Sequence, residues 1–552
     1  MRSYMILLLT IAAATSLSAQ SLTEKIDVSL VNVDVTVTSH GAAARGLTRD
    51  DFQVFEDGVL RPITNFYSVE PPPSGAPNLQ MAPARAESTV IADPNDERFR
   101  RKVLVIVDNR HVTMHNRDRA LAALERFVDD RFTGGSYDWS IALVSDKAHV
   151  MLPLTSDKEK LHETVAAIRR IAANPERPTH EDVMRVTTVD SFIAGDSVAT
   201  GGSRGALQDL LDLGLRAEME ADAVHTADAI RDAVRSFAGA PGRKIILLVT
   251  GSLGLDDTGS PFGANARSAV NGPANVAASA RFATVMRDVL IREANASNVS
   301  FYIVNSEGLS ASGGSNATTG SNGLGFASSI GRGFAGGSSN QLATMYWLAR
   351  ETGGRLMSGN SPENSLAEFD RASSTFYSLA YKPAHGEDGK YHSIKVRLKR
   401  SGYQLQYRTG YSSVPVSVQL ARAMQSPLAT TMQESTIPID IVTGNSANDG
   451  AGIVAVPLQA TVPAKNLQFI PTEKGSIARV DLYVSVFDDR GRRISGNQLT
   501  REAHADNGTE TAGNFVESRQ MVLRRGIPYR IVVAVHDQVT DAIGIASKTV
   551  RF

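Results

Sequence analysis

Between Lys102 and Asp118 the chain reads KVLVIVDNRHVTMHNRD. Its opening run is apolar without alternation, the pattern of a parallel strand covered on both faces. The run stops at Asp108, a polar loop follows, and RDRALAALERFVDDRF, residues 117–132, then carries helical spacing. That order puts the loop at the carboxyl end of a strand, where open α/β sheets place their ligands. Asp108 is therefore the residue to explain: a metal ligand, or an aspartate that ends a strand.

Working outward, the same alternation continues. DWSIALVS (138–145), HVMLPLT (149–155), RKIILLVTG (243–251) and VSFYIVN (299–305) read as strands. SDKEKLHETVAAIRRIA (156–172) and ARFATVMRDVLIREANAS (280–297) read as helices, NQLATMYWLARETGGRLM (340–357) as a helix and short strand, and SLAEFDRASSTFYSLAYKP (365–383) as one more helix and strand. Strands alternating with helices predict an α/β domain with a doubly wound sheet over about 99–411. Two stretches interrupt it. Residues 174–224 are an insertion, polar and then helix-like, and the run from Ala206 to Phe237 could be one long helix. Residues 306–340 are Gly/Ser-rich, with little to bury.

Both flanks read as β. From Val28 to Val37 apolar residues nearly alternate with polar ones, and FEDGVLR (55–61) carries the Asp57–Gly58 hairpin signal, so a small β module is expected over about 22–70. The proline-rich stretch 71–98 reads as an extended linker. YHSIKVRLKRSGYQLQYRTGY (391–411) returns to alternation as a β-hairpin closing the middle domain. Residues 415–552 hold short strands at regular spacing, the pattern of a β-sandwich.

The 552 residues suffice for several cores, with 42% hydrophobic and 21% charged residues and a formal charge of −1. That balance offers no electrostatic case for nucleic acid or an anionic membrane. MRSYMILLLTIAAATSLSAQ (1–20) reads as a secretory signal peptide cut near Ala19–Gln20, because its apolar core is shorter than the roughly 20 residues a spanning helix needs. No later segment is apolar enough to span, so the mature chain is expected to be secreted or periplasmic. With no cysteine there is no disulfide, thiol chemistry or thiolate-bound zinc.

Several stretches resemble one family, the exported von Willebrand factor A-related proteins of the acidobacterial type. GLTRDDFQVFEDGVLRPITNF (46–66) is similar to its leading β module. APGRKIILLVTGSLGL (240–255) and REANASNVSFYIVNSEGL (292–309) are similar to its fourth and fifth strand regions. LARETGGRLMSGN (348–360), followed by FYSLAYKPAHGEDGKYHSIKVRLKRSGYQLQYRTGY (376–411), resembles its closing signature in order, spacing and residue type. The resemblance spans about Val28–Tyr411 and implies a von Willebrand A fold with ligands at the carboxyl ends of the strands.

The resemblance also implies a Mg²⁺ site: an Asp-x-Ser-x-Ser loop after the first strand, a threonine from a second loop, and an aspartate after the fourth strand. Here the first loop is Asp108-Asn109-Arg110-His111-Val112. Valine offers no side-chain oxygen and arginine brings a positive charge toward the cation. Gly251 follows Thr250 where the later aspartate belongs, and either Thr200 or Thr226 could be the second-loop threonine. The reading favoured is an ordinary strand-end aspartate that caps its loop, a degenerate site with no cofactor. The alternative is an atypical Mg²⁺ site of Asp108, Asn109, Asp256 and Asp257.

Other motifs read blandly. GGSRG (201–205) matches a nucleophile elbow around Ser203 but lacks a buried strand before it, so a loop capping the following helix is expected. His111, His115 and Asp118 have helical ligand spacing without a third histidine. Asp488-Asp489-Arg490-Gly491 reads as a hairpin turn, and the basic, aromatic strand 395–408 as a solvated face. No complete catalytic set is present. The expected function is an exported, non-enzymatic protein-binding or adhesion-type module with an unknown protein partner, the alternatives being metal-dependent adhesion at Asp108 and a hydrolase using Ser203.

Overall fold

A computed structural model describes residues 30–70, 90–92, 99–131, 137–145, 148–173, 221, 224–237, 242–251, 253, 285, 287–306, 341–357, 359, 361–429, 435–445, 447–448, 452–472, 475–506 and 513–552. The fold is mixed α/β. The signal-peptide reading of 1–20, Thr200, Ser203, Asp256, Asp257, and nearly all of the 174–224 and 306–340 segments lie outside the described residues.

With strands numbered in chain order, the central sheet runs β12 (Arg355–Met357), β11 (Val299–Asn305), β10 (Arg243–Thr250), β7 (Arg101–Asp108), β8 (Tyr137–Val144), β9 (Ala148–Thr155). Neighbours are parallel except β9, which is antiparallel to β8. Every residue of β7, β8 and β10 is buried, because helices cover both faces. On one face Val103, Val105, Ile245 and Leu247 pack on α1 (Met114–Arg131), α2 (Lys158–Arg170) and α6 (Pro362–Ser374) through Leu121, Phe127, Val165 and Phe369. On the other, Leu104, Ile106, Ile246 and Leu248 meet α3 (224–236), α4 (287–296) and α5 (Gln341–Glu351) through Ile230, Leu290 and Leu348. Asp157 and Ser361 cap α2 and α6, each accepting from the backbone N–H three residues on.

The strands of the expected 22–70 module do not form a unit of their own. β1 (Val31–Ser39) and β5 (Ile63–Val69) pair with opposite edges of β13 (Phe376–Tyr381), and β3 (Phe52–Glu56) pairs with β14 (Tyr391–Leu398). Segments from both sides of the α/β domain thus build one two-sheet sandwich. The expected 391–411 hairpin is absent: β14 pairs with β16 (Gly410–Ser412), whereas β15 (Gln404–Gln406) crosses to β1 in the other sheet. The reason is burial. The valines of β1 and the inward residues Ile394 and Val396 of β14 are each one face of a core that only two facing sheets can close. The Asp57–Gly58 turn does form, with both residues at positive φ (48° and 83°) between β3 and β4 (Val59–Arg61). Within the expected linker, β6 (Val90–Ala92) adds a parallel strand to β5.

The sandwich sits against the amino ends of the central strands, where cations are buried. Arg243 donates to the Ser373 carbonyl and lies 4.3 Å from the Phe376 ring, and Arg408 donates to the carbonyls of Asn295 and Asn32. Lys244 Nζ donates to the Ser297 carbonyl at 3.1 Å. Burial pushes the Lys244 ammonium down to about 7, with Arg408 and Lys102 adding repulsion. Since the folded value lies below that of the unfolded chain, the unfolded state holds the extra proton from about pH 7 to about 10, and stability falls as pH drops through that window. Denaturant melts should gain about 2 kcal/mol between pH 7 and pH 9, a slope that Lys244→Met removes. A pH-independent midpoint would contradict the assignment.

The C-terminal residues form a second two-sheet sandwich around Val454, Val456, Val480, Leu482, Ile531 and Val533. Asp488 closes its β21–β22 turn (β21 Gly475–Phe487, β22 Arg493–Ala505) by accepting from the backbone of Arg490 and Arg492, as the turn reading expected. The segment after α7 (Val416–Ala423) bridges to the α/β domain: Leu428 is buried in that domain's core and Ser426 donates to the Asp232 carbonyl. Among the described residues, no helix is long and apolar enough to cross a membrane.

Candidate functional site: the rim around Asp108

Asp108 ends β7, 1% exposed. Its Oδ1 accepts from the backbone N–H groups of Arg110 at 3.1 Å and His111 at 3.3 Å. Its Oδ2 takes the His111 Nδ1 proton at 2.7 Å and the Thr250 hydroxyl at 2.8 Å, the latter from the end of β10. A carboxylate offers about four acceptor positions, and protein donors fill all of them. Burial by itself raises the carboxyl, but His111, Thr250 and the Arg110 N–H outweigh it and hold the group below the usual aspartate range. Asp108 stays ionised, held by donors from its own loop and from the end of β10.

The loop between β7 and α1 is tied down along its length. The Asn109 N–H donates to the Val144 carbonyl, Arg110 reaches the Ser145 carbonyl, and the His111 carbonyl accepts from the Gly251 N–H. The Asn109 carboxamide turns away from Asp108: its Nδ2 donates to the Ala172 carbonyl at 3.0 Å and its Oδ1 accepts from Arg117 at 2.7 Å. Asn109 therefore does not join Asp108 around a common point. His111 precedes α1, which begins at Met114, so the helical His111–His115 pairing of the sequence reading does not form. The oxygen that reaches Asp108 belongs to Thr250. Thr226 is buried in α3, and its hydroxyl has no partner among the described residues.

Arg117 is the rim residue that sequence reasoning missed. It is fully buried, and it donates to Asn109 Oδ1, to the Ile171 carbonyl at 2.8 Å and to Asp118 at 3.0 Å. Its guanidinium ties the first turn of α1 to the carboxyl end of α2, where a helix dipole favours positive charge. The signal was available: Arg117 falls four residues before Leu121, on the same buried stripe as Leu124 and Val128.

At the end of β11 the Ser306 N–H donates to the Thr250 carbonyl, tying that strand end to the end of β10.

No family model and no curated protein matches the chain. Among solved structures, an aerotolerance-related membrane protein from Bacteroides fragilis aligns at 13% identity, covering 49% of this chain and 98% of that one, with a TM-score of 0.23. BatB from Bacteroides thetaiotaomicron aligns at 10% identity with the same coverage and a TM-score of 0.20. A β-glucuronidase from Bacteroides uniformis aligns at 10% identity over 21% of this chain and 13% of its own, with a TM-score of 0.15. The chain spans less than a fifth of that enzyme's length. Likenesses this partial carry no functional argument.

Proposed function

We propose that the chain is an exported, non-enzymatic protein-binding module built on a von Willebrand A-type domain whose cation site is replaced by a closed hydrogen-bond cluster. Support for the domain type is the strand order, with an antiparallel edge and helices on both faces, together with the sequence resemblance. The observation that carries the functional reading is the Asp108 carboxylate. A cation-dependent adhesion site needs that group free to bind a metal, and here all four acceptor positions serve the fold. Arg110 further places a cation beside the loop. Contact chemistry remains for such a rim: rigid backbone, Arg110, and exposed Met114 at the start of α1.

The test is an affinity capture from the native exported fraction with the mature chain and a rim variant, Met114→Glu, on an exposed position that leaves the core intact. A partner captured equally with and without chelator and lost with Met114→Glu is the expected result. Loss of capture on chelation by the wild-type chain would favour the metal-dependent alternative at Asp108. Labelling of the chain by a fluorophosphonate, abolished by Ser203→Ala, would favour the hydrolase alternative.

A further inference from the structure

Away from the rim, in the first sandwich, we propose that His385, Asp388 and His392 form a zinc site. The three residues lie at spacing H-x2-D-x3-H in AHGEDGKYH (384–392), on the connection from β13 into β14. One ligand atom from each falls within 4.8 Å of the others. His392 Nε2 is 3.1 Å and His385 Nδ1 is 3.9 Å from Asp388 Oδ1. In a tetrahedral site with bonds of about 2.0–2.2 Å, ligand atoms stand roughly 3.3–3.6 Å apart, a separation these two distances bracket.

The outer nitrogens are arranged as they are around a bound metal. His392 Nδ1 is 2.8 Å from Asp57 Oδ2, on the β3–β4 turn. His385 Nε2 is 3.2 Å from the Tyr411 hydroxyl, which donates to the buried Glu56 at 2.7 Å, and Glu56 also accepts from Arg61. Carboxylate partners on the far nitrogen fix the ring and raise its basicity as a ligand.

Acceptor oxygens surround both rings: His392 lies between the carboxylates of Asp57 and Asp388, and His385 Nδ1 is 2.8 Å from the Gly386 carbonyl. Nitrogen donors with one carboxylate suit Zn²⁺, whereas Mg²⁺ requires oxygen around it.

The two imidazole rings are stacked, 3.6 Å apart and 15° from parallel, so binding requires them to open until their lone pairs converge. His385 is the ring that turns, giving up its Gly386 contact, because it lies on a loop with 22% of its side chain exposed, while His392 is anchored at both ends. Bound zinc would clasp the 382–390 connection to the β3–β4 turn through Asp57, with the exposed side of Asp388 leaving a fourth position to water.

The experiment uses the tag-free mature chain, with Zn²⁺ uptake measured by calorimetry and Co²⁺ read by its visible absorption. One equivalent of Zn²⁺ and a four-coordinate Co²⁺ spectrum are expected. His385→Ala, a partly exposed position, should abolish both while leaving the circular dichroism unchanged. Asp57→Asn keeps a residue tolerant of positive φ in the turn and should weaken Zn²⁺ 10- to 100-fold. No uptake, or uptake that His385→Ala leaves unaltered, would overturn the site.

Discussion

Replacing Asp108 by alanine should cost the protein about 3–5 kcal/mol, the range seen when a buried, fully partnered charge is removed and its partners are stranded. The substitution removes the buried acceptor shared by the His111 ring, the Thr250 hydroxyl and the N–H groups of Arg110 and His111. Each unsatisfied group costs about 1–3 kcal/mol, and the sum is reduced where the loop relaxes toward water. Asp108→Asn keeps one oxygen for the two N–H groups but turns an amide donor toward His111 and Thr250, so it should lose roughly half as much. Urea melts read both. The sign separates two roles for the residue: a carboxylate kept for a metal faces other oxygens when the metal is gone, and its removal then stabilises or leaves the fold unchanged. Equal stability of Asp108→Ala and wild type in chelator would discard the capping role. Acid should act in the same sense, since the lowered Asp108 value makes its contribution present above the unfolded aspartate range and lost as pH falls through the folded one.

The second large effect is expected at Gly354. Here α5 ends in a Schellman motif: the Gly354 N–H donates to the Ala349 carbonyl and the Gly353 N–H to the Arg350 carbonyl, with Gly353 at φ +78°. The chain then drops straight into β12 beside β11. A Cβ on Gly354 would stand 1.8 Å from the Phe301 carbonyl oxygen and 2.4 Å from its carbon. Those atoms are backbone in the middle of the central sheet and have no rotamer to give. Gly354→Ala should therefore cost about 3 kcal/mol, the top of the usual overpacking range, and lower soluble yield. The control is Gly359, five residues on, where the nearest atom is the Ser365 hydroxyl at 4.0 Å. Gly359→Ala should change stability by less than about 0.5 kcal/mol. Matching melts for the two variants would refute the close approach.

These two residues mark the limits of sequence reading. The central strands were legible because β7, β8 and β10 are buried on both faces and therefore apolar at every position. The Asp57–Gly58 turn was legible because only a few residue pairs accept positive φ twice. What alternation could not tell was which strands meet. β1 and β14 each show one apolar face, but β1 pairs with β13 and β14 with β3 across more than 300 residues of sequence, and nothing local distinguishes a closing hairpin from two strands in opposite sheets.

The rim was half legible. Arg110 and Val112 in place of serines argued against a standard cation site. That Thr250 and His111 would converge on Asp108 required the register of β7 beside β10, which puts Val107 against Val249 and brings the two strand ends together. Arg117 was passed over because a charged residue on an apolar helical stripe is ordinarily read as an exposed one. The His385–His392 cluster lies inside the stretch that resembles the family's closing signature, where its local spacing alone does not mark it as chemistry. Its carboxylates Asp57 and Glu56 come from the other end of the sequence, so only the folded sandwich shows the histidines to be surrounded by acceptors.

The decisive measurement is Mn²⁺ binding at the rim, followed by electron paramagnetic resonance of the free ion. It should be made on the chain carrying His385→Ala, so that the sandwich histidines stay silent. With the acceptors of Asp108 committed to Arg110, His111 and Thr250, millimolar Mn²⁺ should find no site that Asp108→Asn removes. One tightly bound equivalent, lost on that substitution, would mean that the carboxylate opens to a cation and that this rim does not work by contact alone.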